Sequence, residues 1–468
     1  MEPVNMGIIS VLPAFIAIAL AFATRNTVIS LMIAIITGTF LAGQGILGFP
    51  GLLRTSIGTT GFAWVMLLNT FIGVLVAFFQ KTGAIQGFSQ YMNDKNLSRK
   101  SVQIVTWLLG FVVYFSDSFS PLFAGATMRK ISDKAKISRE KLSYIADSGA
   151  APVSVLVPIT GWAAFLSGLA IGVGNIENIE DAMSLFIRAI PYNFYALITV
   201  VFVGLIASGI IKDFGPMKKA EDRAMNEGKL LRDGAIPLVG KELTEMEAHP
   251  GIQTRVVLNF LLPVLMIIAI ALTTHLTTRS AKTMEAFLIV IIFMSISMRI
   301  QGIPLKDIMD AATDGIKGAV PAVMILALAY TLKSLSVTMG TANYIIQMTE
   351  GFITPQVLPA ITFLIAAFVA FSTGTSWGTF AITMPIALPL AFALSGGQLS
   401  PLVMASFAAV AGGGVFGDHC SPLSDTTILA STGAAADHID HVKTQLPYAL
   451  ITGGLALVVY LVIGFTSL

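Results

Sequence analysis

The chain of 468 residues holds a single cysteine, Cys420, which excludes an intrachain disulfide and any cysteine-ligated metal cluster. Charge is almost as scarce. Asp, Glu, Lys and Arg make up 12% of the residues against 55% hydrophobic ones, and mean hydropathy is +0.81, far from the balance of a soluble domain. The net charge of +2 is small, and no nucleic-acid partner is expected. No Gly-rich phosphate loop of the Walker type is present, which argues against drive by ATP. Neither an enzyme nor a cofactor is expected. The first apolar run, Gly7 to Ala23, follows Glu2 rather than a basic segment and leads directly to another span, which predicts a retained helix and not a cleaved signal peptide.

What the chain has in abundance is apolar runs of about 20 residues, the length that roughly 30 Å of hydrocarbon demands. Plain spans fall at about 7–24, 28–48, 57–79, 142–171 and 191–211, then at 256–274, 284–300, 315–337, 401–436 and 447–466. The chain also repeats itself. Gln44-Gly45-Ile46 recurs as Gln301-Gly302-Ile303, and Gly58, Gly61 and Gly83 match Gly315, Gly318 and Gly340, all at a spacing of 257. At 256, Phe115-Ser116, Ser120 and Met128 match Phe371-Ser372, Ser376 and Met384, and Pro191-Tyr192 matches Pro447-Tyr448. An offset held over so long a stretch indicates an internal duplication. The first repeat is residues 1–211 and the second 256–468, joined by a polar linker, 212–255, too charged to enter lipid.

Segments 102–128 and 359–396 each read either as a crossing helix or as a hairpin that returns on its own side, and charge decides between them. With hairpins and a cytoplasmic linker, 23 of the 28 basic residues fall inside and 4 outside. A single crossing at 102–128 would instead place the six basic residues of 129–141 outside. The expected fold is therefore an all-α polytopic membrane protein of two inverted-topology repeats, each with five crossings, one of them broken, and one re-entrant helical hairpin. Both termini are then extracytoplasmic. Inverted repeats with interrupted helices are the plan of secondary transporters and offer two interchangeable shapes for alternating access.

Residues 417–425, Gly-Asp-His-Cys-Ser-Pro-Leu-Ser-Asp, form the densest polar knot. Ionisable groups at membrane depth mark an ion or substrate path by default, and Pro422 and Gly417 predict that the helix opens here. Candidate ion or substrate ligands are Asp418, His419, Ser421, Ser424 and Asp425. His419 is either a proton relay or a structural partner that orients Asp418. The hairpin tips add Ser116, Asp117, Ser118 and Ser120 in the first half and Ser372, Thr373, Gly374, Thr375 and Ser376 in the second. Hydroxyls, carbonyls and carboxylates suit a hard cation, so Asp117, Asp418 and Asp425 are candidate sodium ligands. Two registers compete for the first broken helix. The ungapped one sets the break at Thr160-Gly161, opposite Gly417; the other matches Asp147 with Asp418. Asp147 lies either on the ion path or near the cytoplasmic mouth. Lys333 either snorkels to the interface or serves as a counter-ion, and His438 and His441 fall in a stretch expected to be a solvated cytoplasmic loop.

The strings "FGDHCSPLSDTTILAS", "DHIDHVKTQLPYAL" and "FSTGTSWGTFAITMPIALPLA", with "YFSDSFSPLFAG" and "IADSGAAPVSVLVPITGW" in the first half, resemble the NhaC family of bacterial sodium/proton antiporters. The resemblance implies an inner-membrane antiporter of the wider ion-transporter superfamily, with an elevator-like mechanism, homodimers, and sodium and protons as partners. Relatives carrying such motifs move organic solutes, so the alternative is a sodium-coupled transporter or exchanger of an amino acid or small carboxylate.

Overall fold

The computed structural model describes residues 6–24, 26–84, 87, 98–114, 117–158, 160–239, 246, 248–250, 252, 255–278, 282–341, 344 and 354–466. Within them the chain is all-helical, and one isolated bridge, Pro237 to Asp437, is the only β contact. A short 3-10 turn, Gly7–Val11, leads into α1 (Leu12–Thr24), followed by α2 (Thr27–Leu41), α3 (Gly48–Ile57) and α4 (Thr60–Lys81). Next come α5 (Arg99–Val112) and α6 (Phe119–Lys134), then a helix in three pieces, α7 (Arg139–Ser148), α8 (Ala151–Ser154) and α9 (Gly161–Ala170). After α10 (Ile179–Ala189) and α11 (Phe194–Ala207), the linker forms α12 (Gly215–Asn226). The second half runs through α13 (Leu262–Thr278), α14 (Thr283–Ile300), α15 (Leu305–Met339), α16 (Leu358–Thr373), α17 (Ser376–Leu394), α18 (Pro401–His419), α19 (Asp425–Ala434) and α20 (His438–Thr466).

Among the described residues five helices are long and apolar enough to cross a membrane: the stretch Val257–Thr274, α15, α17, α18 and α20. A sixth span arises if the pair Glu180–Tyr192 and Phe194–Ala207, bent by 51°, counts as one. Helix α15, with 35 residues, is about 52 Å long at 1.5 Å per residue and carries Pro321 in its interior. Two packing centres organise the molecule. One gathers α1, α2, α4 and α13 to α15, the other α9 to α11, α16 to α18 and α20.

Segments 102–128 and 359–396 each hold parts of two helices, α5 ending at Val112 and α6 starting at Phe119 in the first, and α16 and α17 separated by Gly374-Thr375 in the second. Of these arms, α17 alone passes the length and hydropathy test for a crossing. The broken helix of the first half ends at Ser154 and restarts at Gly161, the one in the second half ends at His419 and restarts at Asp425. The two restarts stand 264 residues apart rather than 256. Gly417 does not open the helix but lies within α18, where an added Cβ would come within 2.2 Å of the Ala367 carbonyl. Its smallness serves the close approach of α16 and α18, and the opening begins three residues later, at Cys420, just ahead of Pro422.

The linker is no free tether. Glu221 of α12 is 2% exposed, accepts a hydrogen bond from the Ser138 amide at 2.8 Å and pairs with Arg99. Arg223 donates to Glu140 at 2.8 Å, and Lys141 pairs with Asp213. Burial pushes the Glu221 carboxyl above the usual carboxylate range, although Lys141 and Arg99 pull the other way.

Candidate functional site

Helix breaks are what bring the polar residues together. Where α18 stops, its last carbonyls lose their intrahelical partners, and a helix C-terminus favours positive charge. Where α19 starts, Ser424 caps its amides and Asp425 sits in its first turn. Ser424 also donates to Asp418 Oδ1 at 2.5 Å, so one hydroxyl bridges the two ends of the break. Asp418 is 1% exposed.

The α5–α6 and α16–α17 junctions pack against these breaks through similar bonds. Ser421 Oγ donates to the Phe371 carbonyl at 2.7 Å, and in the first half Ser154 Oγ donates to the Tyr114 carbonyl at 2.7 Å. Gly374 has φ +65°, and an added Cβ would come within 2.5 Å of the Leu423 carbonyl, so glycine is required there twice over. Asp117, 9% exposed, accepts a hydrogen bond from Trp377 Nε1 at 3.4 Å, which links the first tip to the second. Tyr330 of α15 donates to Asp425 Oδ2 at 3.3 Å. Asp117, Asp418 and Asp425 each lie within electrostatic reach of the other two.

The hydroxyls of the tips divide into two groups. Ser372 and Thr373 donate to the Val369 carbonyl of their own helix at 3.1 and 2.6 Å, and Thr375 caps α17. These are ordinary uses of a membrane-helix hydroxyl. Ser120 and Ser376 differ. Both are buried, at 0% and 1% exposure, and they stand 256 residues apart at the starts of α6 and α17. Ser376 turns its hydroxyl to the Asp418 carboxylate, whereas Ser120 Oγ has no hydrogen-bond partner among the described residues. Ser118 is buried at 7% exposure. Thr160 caps α9 and donates to the Ser154 carbonyl at 3.1 Å, which closes the first break in front of Gly161. Ser116 and the side chain of Lys333 lie outside the described residues.

Asp147 is not with the other acids. It ends α7, fully buried, 3.2 Å from His441 Nε2 and accepting from Gln445 Nε2 at 2.8 Å. His419 faces this second group and not the carboxylates, through Tyr195 and Gln445. His438 and His441, expected in a solvated loop, are 1% and 0% exposed in the first turn of α20. His438 donates to the Pro422 carbonyl at 2.9 Å, and the linker covers the turn, with the Ile236 amide donating to Asp437 and Arg232 to Asp440, each at 2.8 Å.

Reasoning from the sequence missed Tyr330, Trp377, Gln445 and Tyr195. Trp377 directly follows Ser376, and Gln445 lies in a string singled out for its resemblance, but nothing local gave either a role. Among the described residues no three His, Cys, Asp or Glu side chains stand close enough to hold one metal ion. A cation at this site would thus use one or two carboxylates, with hydroxyls and carbonyls completing its shell.

A family model described as "Na+/H+ antiporter family" matches residues 162–465, from α9 through both the hairpin tip of the second half and the Asp418 break to α20. The chain belongs to the Na+/H+ antiporter family. An uncharacterized protein of Haemophilus influenzae is similar along nearly the whole length, 31% identical over 98% of this chain and 91% of that one. Two relatives with assigned activities match over about a third of each chain. The malate-2H(+)/Na(+)-lactate antiporter of Bacillus subtilis is 30% identical over 35% of this chain and 34% of its own. The Na(+)/H(+) antiporter NhaC of Alkalihalophilus pseudofirmus is 29% identical over 34% and 33%. This antiporter-family chain is a multi-pass membrane protein, and its family is one of transporters rather than enzymes.

Proposed function

We propose that the chain exchanges sodium for protons across the bacterial inner membrane, with the site at Asp117, Asp418 and Asp425 holding either sodium or protons. The observation that carries this reading is the cluster of three carboxylates, Asp117, Asp418 and Asp425, at the helix breaks, joined by the Ser376 hydroxyl at Asp418 and by the buried Ser120 hydroxyl, which has no hydrogen-bond partner among the described residues. Carboxylates and hydroxyls gathered away from water fit a dehydrated cation as their shared partner. Sodium and protons then compete, because a bound cation stabilises the carboxylate that a proton would neutralise.

The matching ties of Ser421 to Phe371 and Ser154 to Tyr114 support an inverted repeat of 1–211 and 256–468, with re-entrant hairpins at 102–128 and 359–396. On that plan both termini are extracytoplasmic, the linker 212–255 is cytoplasmic, and alternating access runs as an elevator-like movement within a homodimer. A second reading, sodium-linked exchange of a small carboxylate, draws on the relative named a malate-2H(+)/Na(+)-lactate antiporter.

Purified protein in sealed vesicles with an internal pH dye separates the two. Sodium alone should move protons, and its apparent affinity should weaken as pH falls. Asp117→Asn, which keeps shape and loses charge, should abolish the flux while the protein still folds. Silence to sodium alone, with flux restored by a dicarboxylate or lactate, gives the function to the second reading.

A further inference from the structure

The acids at the helix breaks leave a second buried polar network unused. It runs from Tyr195 on α11 to His419 at the end of α18, then through Gln445 on α20 to Asp147 on α7 and back to His441 on α20. Tyr195 hydrogen-bonds His419 Nε2, and Gln445 Nε2 donates to the His419 carbonyl and, at 2.8 Å, to Asp147 Oδ2. His441 Nε2 stands 3.2 Å from the same carboxylate oxygen. Asp147, Gln445 and His441 are each 0% exposed. Yet among the described residues Asp147 Oδ1, His441 Nδ1 and Gln445 Oε1 have no hydrogen-bond partner.

Charge completes the argument. A buried carboxylate is costly unless paired, and among the described residues His441 is the one group within ion-pair distance of Asp147. Among the described residues, His419, Cys420, Tyr195 and His438 lie within electrostatic reach of the pair, and none of these four is a fixed cation. The pair is therefore neutral only while it holds one proton, whether on the carboxylate or on the imidazole. Losing that proton leaves one net negative charge.

Resting on the exchange of sodium for protons proposed above, we propose that Asp147 and His441 form a proton-binding site separate from the sodium site and coupled to it through Gln445 and His419. Gln445 bonds both Asp147 and the backbone of His419, and His419 directly follows Asp418 in the chain. With the proton gone, the negative charge on the pair lowers the energy of a cation at Asp418. With the proton bound, that help is withdrawn. This is the sign that exchange requires, and as a binding free energy the coupling acts equally in both directions.

The test counts protons. Sodium is titrated into the purified protein by calorimetry in two buffers of different ionisation enthalpy, which gives the protons released per sodium bound. His441→Gln retains a donor for Asp147 but does not titrate, and Asp147→Asn removes the other half of the pair. Both variants should still bind sodium, with release reduced by up to one proton. The dependence of sodium affinity on pH should flatten accordingly, by up to about tenfold per pH unit. Wild-type release and slope in either folded variant would overturn the proposal. Wild-type protein labelled with carbon-13 histidine gives a measurement without substitution: at fixed pH, sodium should shift a buried imidazole signal, and no shift is equally fatal. Wild-type protein that binds sodium without releasing any proton refutes the exchange reading itself, a result distinct from equal release in wild type and variant.

Discussion

Gly374→Ala tests whether the second hairpin tip is keyed against the Asp418 break. Two costs arise at this position. Its φ of +65° is left-handed, where a side chain costs roughly 1–2 kcal/mol. The new Cβ would also sit 2.5 Å from the Leu423 carbonyl and 2.7 Å from its carbon, backbone atoms that yield only if the break itself moves. Overpacking of this kind costs about 1–3 kcal/mol more. Gly396→Ala separates the two terms, because Gly396 has φ +64° and nothing within 4 Å of an added Cβ. Both variants should incur the strain cost, so the difference between them measures the contact. Thermal unfolding in detergent should place Gly374→Ala below Gly396→Ala, and sodium-driven proton flux in vesicles should fall in the first and persist in the second. Equal stability and equal flux would mean that the tip does not depend on Leu423, and the link from tip to break would have to be abandoned.

The Ser120 hydroxyl predicts an unusual pairing of effects. Ser120→Ala should leave thermal stability unchanged or slightly raised, because it removes a buried polar group with no partner among the described residues, yet it should weaken sodium affinity in a binding titration; a loss of stability with unchanged affinity would make it structural. Topology follows from charge: in a Cys420→Ser background, a cysteine placed in the exposed part of the linker, such as at Lys219, should label from the cytoplasmic side alone, and labelling from outside intact cells would reverse the orientation.

Most helices were legible because hydropathy and helix breaking are local. Runs of apolar residues predict a helix wherever they fall, and Thr160-Gly161 and Pro422 mark interruptions through capping and a missing amide. The same logic misplaced Gly417, whose role is contact with α16 and not flexibility. It also misread Asp437 to His441, since two histidines and two acids in five residues look solvated until the linker lies over them. Helix α10, Ile179–Ala189, falls between the expected spans 142–171 and 191–211 and corresponds to neither.

Composition and spacing by themselves determined that the chain is a membrane protein of many helices with a duplicated pattern, and they singled out Asp117, Asp418 and Asp425 as charges too expensive to be incidental. The matched family follows from the same motifs. Only the tertiary structure decided which polar groups meet. It brought those three acids within electrostatic reach, gave Ser372 and Thr373 to their own helix while turning Ser376 to Asp418, and moved Asp147 and His419 into a network with His441 and Gln445. The reason is distance along the chain. Helix and break are set by residues within a few positions of one another, whereas His441 lies 294 residues from Asp147, and only the packing of α7 against α20 brings them together.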